Sequence, residues 1–337
     1  MLLVLTLAAL LIRLRGLHAP GIIFDEAFYM PSVAPALLNR AHGPLGPALL
    51  VLSGALFGNS PFGYRVIPML CGVACVPLTC WLARLRFPVG NTALTAAVLV
   101  AFDPMLFLWS RLALLDGFVT ILLLASALAW SSRRPALCGV CIGLSLAVKW
   151  LAFPLLAALL LLAGLRGQTR PAIRLFGATI FAYCLCFCVL SGVWSPAQFF
   201  NIHLAQFRQL KGIVPLAYLH SPFWSWFLVP QCIPLSQSPS PAVTLVETPA
   251  ILWTGAAALL LGGRRMGVLG LYCVALLLPW VAPWRGTYFY YLVPVLPYVL
   301  IALADLLEQR FPGWVRAVFL CNALLSFVVL YPTMVGA

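Results

Sequence analysis

The sequence predicts an all-α, polytopic integral membrane protein of about eleven transmembrane helices. Of its 337 residues, 64% are hydrophobic and 8% charged, where soluble domains carry roughly a quarter charged. Mean hydropathy is +1.06. Apolar runs close to the ~20 residues a span needs recur from end to end, joined by short arginine-bearing connections. Nothing repeats at a period of 20 to 50 residues and no low-complexity tract exceeds SQSPSP at 236–241, so residues 1–337 read as one transmembrane domain.

The first run, MLLVLTLAALLI, has the size of a signal-peptide core but lacks preceding basic residues, since Arg13 and Arg15 follow it. It reads as a helix over 1–19, extended by arginines that snorkel to the interface. Further spans are placed at 65–83, 91–108, 115–131, 135–148, 150–165, 174–192, 249–263, 267–282, 288–307 and 314–333. Between them lie two longer outer loops, 20–64 and 193–248, the second rich in Pro, Ser, Gln and aromatics. Segment 44–58, PLGPALLVLSGALFG, is apolar but short and begins between prolines, so it reads as an interfacial or re-entrant helix. An odd number of spans puts the termini on opposite sides.

With a cytoplasmic N-terminus, Arg84, Arg86, Arg133, Arg134, Arg166, Arg170, Arg174, Arg264, Arg265, Arg310 and Arg316 fall on one side. They occupy short loops with hardly any acid, as the positive-inside rule requires. The remaining cations, Arg13, Arg15, Arg40, Arg65, Arg111, Lys149, Arg208, Lys211 and Arg285, gather toward the outer face. With them lie Asp25, Glu26, Asp103, Asp116, Glu247 and all four histidines. Every cysteine except Cys232 sits in an apolar segment and reads as a small packing residue; Cys138 and Cys141 have no second pair to complete a metal site. No nucleic-acid partner is expected.

An ionised side chain at a span centre costs ~2.5 to 3.5 kcal/mol, so charges near spans have partners or chemistry to perform. FDEAFY sets Asp25 beside Glu26 where water meets lipid. Adjacent carboxylates repel, which raises one and makes it a proton acceptor near neutral pH; equally, the pair can simply open a helix. In SRLALLDGF, Arg111 and Asp116 either pair to pin a tight connection or serve the site. Lys149, in LAVKWLAF, either snorkels from a loop or holds an anion such as a phosphate. Arg285 enters PWRGTYFYYLVPVLPY, whose Tyr288, Tyr290 and Tyr291 read as interfacial belt aromatics. NRAHGPLGP adds Arg40 and His42. One base facing Arg40, Arg65, Arg111, Lys149 and Arg285 suits an anionic lipid whose phosphate is held and then departs.

In order and content, FDEAFY, HGPLGP, GYRVIPMLCG, FLWSRLALLDGF, GLSLAVKW, SPFWSW and YFYYLVPVLPYVLIAL resemble the protein O-mannosyltransferase family, polyprenyl-phosphate-sugar-dependent enzymes of the GT-C fold. The resemblance implies eleven spans, an outward active site and inverting transfer of mannose from a polyprenyl or dolichyl phosphate to a Ser or Thr hydroxyl. By position it makes Asp25 the catalytic base, Glu26 and Trp224 acceptor-site residues, and Arg65 a ligand of the donor phosphate, with Arg111, Lys149, Arg285 and His42 as further donor contacts. The motif usually written His-Pro-Pro-Leu-Gly-Lys carries Gly43 and Pro47 here, which removes a cation, and SPFWSW lacks its usual following arginine. The outer loop has no β-trefoil repeats, so the chain resembles a compact bacterial-type member, placed in the plasma membrane. Phosphate is a fair leaving group, so the chemistry requires no cofactor and no divalent metal. Expected partners are the bilayer, the lipid-linked donor and a protein or peptide acceptor. The same chemistry on a lipid or peptide natural product, or with another sugar, is the alternative, and a lipid-linked-sugar transporter the alternative of another class. A transporter calls for repeated halves and midplane charges, and the sequence has neither.

Overall fold

The computed structural model describes residues 1–18, 21–30, 41–212, 220–235, 243–281 and 286–335. Among them the helices are α1 Leu2–Leu14, α2 Glu26–Tyr29, α3 Leu45–Phe57, α4 Pro61–Arg86, α5 Thr92–Ala101, α6 Pro104–Ser110, α7 Asp116–Ser131 and α8 Pro135–Val148. They continue with α9 Phe153–Leu165, α10 Thr169–Ser191, α11 Pro196–Gly212, α12 Pro249–Met266, α13 Val268–Val281, α14 Leu296–Arg310 and α15 Gly313–Val335. A small antiparallel hairpin pairs β1, Cys232–Pro234, with β2, Thr244–Val246, and Ile233 faces Leu245 across it.

Caps and prolines set the helix starts. Ser60 accepts a hydrogen bond from Gly63 N ahead of Pro61, which opens α4, and Pro135 and Pro249 open α8 and α12 in the same N-terminal position. Asp103 does more. Its position before Pro104 disfavours helical backbone, and its Oδ1 accepts from Leu106 N at 2.7 Å, so the expected span 91–108 breaks into α5 and α6, bent by 55°. Arg13 fills the break: Nε donates to Ser110 Oγ at 2.9 Å and Nη1 to the Ala101 carbonyl at 3.1 Å. The expectation that Arg13 snorkels is therefore corrected, because the side chain is fully buried and serves carbonyls exposed by the broken helix.

The CGVCIG segment of α8 packs through its glycines. A Cβ on Gly139 or Gly143 would collide with the carbonyl oxygen of Leu175 or Thr179, so this small-xxx-small stripe lets α8 lie directly on α10. Cys138 and Cys141 flank that seam as buried packing residues; Cys321 on α15, expected to be buried, is exposed. The core runs through α4, α5, α7 and α14, where every residue from Tyr291 to Asp305 is buried, while α10 and α15 turn Phe181, Val189, Leu325 and Val328 outward.

The chain is a multi-pass membrane protein. Among the described residues, α4, α10 and α15 are long and apolar enough to cross a bilayer, and α5 with α6 makes a fourth if the bent pair is one span. The other apolar helices run 10 to 17 residues, with α7, α8 and α9 among them. Segment 44–58 folds as α3, about 20 Å long against a hydrocarbon core of about 30 Å, and doubles back on the start of α4.

Candidate active site

The short helix α2 is set by the turn before it. Phe24 adopts φ +56°, a left-handed conformation costly for a bulky side chain, and Trp109 and Tyr290 hold its ring edge-on at 6.0 and 5.6 Å. That turn sends the two neighbouring acids in different directions. Glu26 points inward and is fully buried, with Oε1 and Oε2 at 2.7 and 2.6 Å from Arg65 Nε and Nη2, and it also accepts from the backbone of Ile23 and Ala113. Arg65, 1% exposed, spends further donors on the carbonyls of Leu17 and Gly21. This bidentate, backbone-braced pair locks the FDEAFY turn to α4 and to the α6–α7 connection.

Asp25 points the other way, and its carboxylate accepts no hydrogen bond among the described residues. Burial raises its pKa from 3.8 to about 6, opposed by the charge of Lys149 and assisted by that of Asp116. Asp116 opens α7 and pairs with Lys149, whose Nζ lies 2.9 and 2.8 Å from Oδ1 and Oδ2; Trp109 Nε1 reaches Oδ2 at 3.3 Å. Of the two readings for Arg111 and Asp116, mutual pairing is thus corrected. Arg111 leaves the end of α6 toward the carbonyls of Arg13, Arg15 and Met334, tying both chain ends to the bend.

The HGPLGP loop packs beside Lys149. Gly43 N donates to the Val148 carbonyl at 3.2 Å, and a Cβ on Gly43 would strike the Ala147 carbonyl oxygen. Glycine at this position is therefore what lets this loop sit on the end of α8, next to Lys149. The His42 ring lies 6.2 Å from Tyr29, and its carbonyl accepts from Gln206 of α11 at 2.8 Å.

Two parts of the site escape the sequence reading. Tyr290, expected in a lipid-facing belt with Tyr288 and Tyr291, is buried like both of them; it stacks on Trp109 at 5.0 Å and lies within electrostatic reach of Asp25 and Asp116. Helix α11 is the other. From it His203 Nδ1 donates to Phe199 O, so Nε2 accepts from Tyr183 OH at 2.6 Å, and Tyr183 in turn accepts from Trp150 Nε1 at 3.0 Å, one residue after Lys149. Its signal was Ser195-Pro-Ala-Gln198, a capping box whose two side chains exchange bonds with each other's backbone.

Other expected site residues lie elsewhere. Trp224 is 63% exposed, and it is Trp226 that is buried, donating to Ser221. Arg285 and Arg40 fall outside the described residues. Glu247 packs against Asp103; burial, then the neighbouring carboxyl, pushes it well above the ordinary carboxylate range.

Residues 41–195 match the family model for dolichyl-phosphate-mannose-protein mannosyltransferase. Over that stretch, a little under half of its length, the chain is similar to that family. It is 33% identical over 115 residues to a polyprenol-phosphate-mannose–protein mannosyltransferase of Mycobacterium tuberculosis, covering 31% of this chain and 22% of that protein. To protein O-mannosyl-transferase 1 of Danio rerio it is 27% identical over 186 residues, 45% of this chain and 26% of the other. The match thus spans about a quarter of these relatives' length. In structure the chain is similar to the S. cerevisiae protein O-mannosyltransferase Pmt1-Pmt2 complex bound to the sugar donor, with TM-score 0.82, 11% identity, and 99% of this chain and 90% of that one covered. It is also similar to ArnT from Cupriavidus metallidurans bound to undecaprenyl phosphate, with TM-score 0.60, 14% identity, and 98% and 70% covered. At such identities the likeness speaks for the fold, the helical membrane architecture of GT-C glycosyltransferases. In space the FDEAFY and HGPLGP stretches come together, with the Tyr29 and His42 rings 6.2 Å apart.

Proposed function

We propose that the chain is an inverting glycosyltransferase that moves mannose from a polyprenyl-phosphate donor to a hydroxyl, that of Ser or Thr in a protein or peptide, at the outer membrane face. The observation that carries the reading is Asp25: an open carboxylate, raised to about 6, beside a Lys149–Asp116 pair and walled by Tyr29, Trp109 and Tyr290. A base of that strength is ionised at neutral pH yet basic enough to accept a proton in the transition state. The similar mycobacterial proteins, polyprenol-phosphate-mannose–protein mannosyltransferases by name, supply the substrates proposed.

In the proposed step the acceptor O–H breaks as its proton passes to Asp25, the oxygen bonds to the anomeric carbon, and the carbon–phosphate oxygen bond breaks on the opposite face. The bonding pair leaves with the polyprenyl phosphate. Lys149 opposes the charge that builds there, with His42 on the adjoining loop and Arg285 as further contacts. Glu26, Arg65 and Arg111 act one layer back. Their polar atoms are committed to backbone and to each other, so they fix the turn that presents Asp25 and the bend behind it. Trp224 is the exposed aromatic proposed to meet the acceptor.

The test is transfer by the purified protein in liposomes, using a panel of radiolabelled prenyl-phosphate sugars with protein, peptide and lipid acceptors. Label entering protein or peptide from the mannose donor is expected. Label in lipid alone would move the acceptor to the alternative class, and transfer of another sugar with mannose ignored would overturn the reading.

A further inference from the structure

At the other end of the bundle lies a cavity of about 1060 Å³ that the transfer chemistry does not use. Its placement follows from chain direction. Arg65, Asp116 and Lys149 stand at one end of α4, α7 and α8, whereas Arg86, Arg133 and Pro135 stand at the opposite ends of the same helices. Along α4 the 21 residues from Arg65 to Arg86 span about 31 Å, roughly a bilayer's hydrocarbon thickness. The cavity therefore opens at the far membrane surface.

Arg86, Arg133, Arg166 and Arg264 line it, and no acidic residue does. Among the described residues none of these four pairs with a carboxylate, although their neighbours Arg265 and Arg316 pair with Asp305 and Glu308. Carboxylates are thus within reach on this face and are spent outside the cavity. Arg86 gives Nη2 to the Arg265 carbonyl, while its buried Nε has no hydrogen-bond partner. Leaving such a donor empty in a buried setting is costly.

The backbone is arranged to present these cations. Arg133 holds φ +57° after the last turn of α7, at a position where glycine is the usual occupant, so a strained residue supplies a guanidinium at the cavity wall. Gly263 and Gly267, both at positive φ, bracket the end of α12 and divide its arginines, Arg265 to Asp305 and Arg264 to the cavity. Apart from Ser131 and Gln168 the rest of the wall is apolar, with Trp130, Leu162 and Leu271 in it. Four like charges converging on one space call for an anion, and the greasy wall behind them calls for a chain attached to it.

We infer that this cavity is a binding site for an anionic phospholipid, its phosphate held among Arg86, Arg133, Arg166 and Arg264 and an acyl chain lying along the Trp130 and Leu162 wall. The site is separate from the Asp25 pocket and does not depend on the transfer reading. It would anchor the ends of α4, α7, α9 and α12 to the leaflet opposite the one where the donor phosphate is handled.

Native mass spectrometry of the full chain in detergent, titrated with phosphatidylglycerol, phosphatidylcholine or glycerol 3-phosphate, tests this. Phosphatidylglycerol is expected to bind, phosphatidylcholine to bind far more weakly, and glycerol 3-phosphate not to displace the lipid. Arg133→Gln with Arg264→Gln should weaken phosphatidylglycerol binding about thirtyfold, whereas Arg134→Gln with Arg310→Gln, which removes equal charge from the same face outside the cavity, leaves it unchanged. Arg133→Gly provides a variant that relieves the backbone, and it should weaken binding while melting no lower than wild type. Equal binding by the cavity and control variants, equal affinity for phosphatidylcholine, or displacement by glycerol 3-phosphate would each overturn the proposal.

Discussion

Replacing Asp25 with Asn is expected to stop transfer and yet stabilise the protein at neutral pH. The folded state holds this carboxyl at about 6 instead of 3.8, chiefly through burial. A folded-state value that is raised favours the protonated form. Its contribution to stability is therefore complete below the ordinary carboxylate value and is lost as pH rises through about 6. Above that point the wild type carries an uncompensated charge, at roughly 1.4 kcal/mol for each pH unit separating the two values, or about 3 kcal/mol. Partial access of solvent to Asp25 screens the charge and brings the expected effect to about 1 to 2 kcal/mol. Asparagine keeps the shape and has no such penalty. Thermal unfolding in detergent micelles, followed between about pH 4 and pH 8, should show the two proteins melting together at the acid end and Asp25→Asn melting higher at the neutral end. Curves that stay parallel across the range, or a variant less stable at every pH, would refute the placement of Asp25 in a desolvated pocket.

Lys149→Ala should lower turnover by about a hundredfold and, because Lys149 opposes the rise in Asp25, move the acid limb of the pH–rate profile to higher pH. The profile measured beside wild type checks both effects. Glu26→Ala leaves Arg65 buried and unpaired, so a loss of about 3 to 5 kcal/mol is expected by denaturant or thermal unfolding. Gly43→Ala drives a methyl into the Ala147 carbonyl and should cost both stability and transfer, while Gly117→Ala, with open space around it in the first turn of α7, should melt at or above the wild-type temperature.

Helix starts are legible where a residue marks them locally. Pro135 and Pro249 begin helices where expected, whereas α4 opens at Pro61, ahead of the expected start at 65, and the apolar run 91–108 is broken in two. Local signals also place FDEAFY, HGPLGP and Lys149 near one another in expectation, and the structure brings them together. The division of labour within the site was not legible, because it is set across distance. Glu26 finds Arg65 39 residues away, and Asp116 finds Lys149 33 residues away and not Arg111 close by. The bend at Asp103–Pro104 and the turn after α6 aim Arg111 toward the chain ends, an outcome no spacing rule carries. Tyr290 misled for a different reason: aromatics near an interface look alike in sequence whether they face lipid or a pocket. Helix α11, by contrast, carries a local start signal in the Ser195-to-Gln198 box, and its polarity sets it apart from the apolar runs.

In the proposed mechanism Asp25 takes the acceptor proton while the layer behind it only holds the turn. Single-turnover transfer from radiolabelled polyprenyl-phosphate-mannose, with donor binding measured on the same samples, tests it most directly. Asp25→Asn is predicted to bind donor about as tightly as wild type and to transfer it at least about a hundredfold more slowly. Transfer by Asp25→Asn within a few fold of wild type would contradict the account.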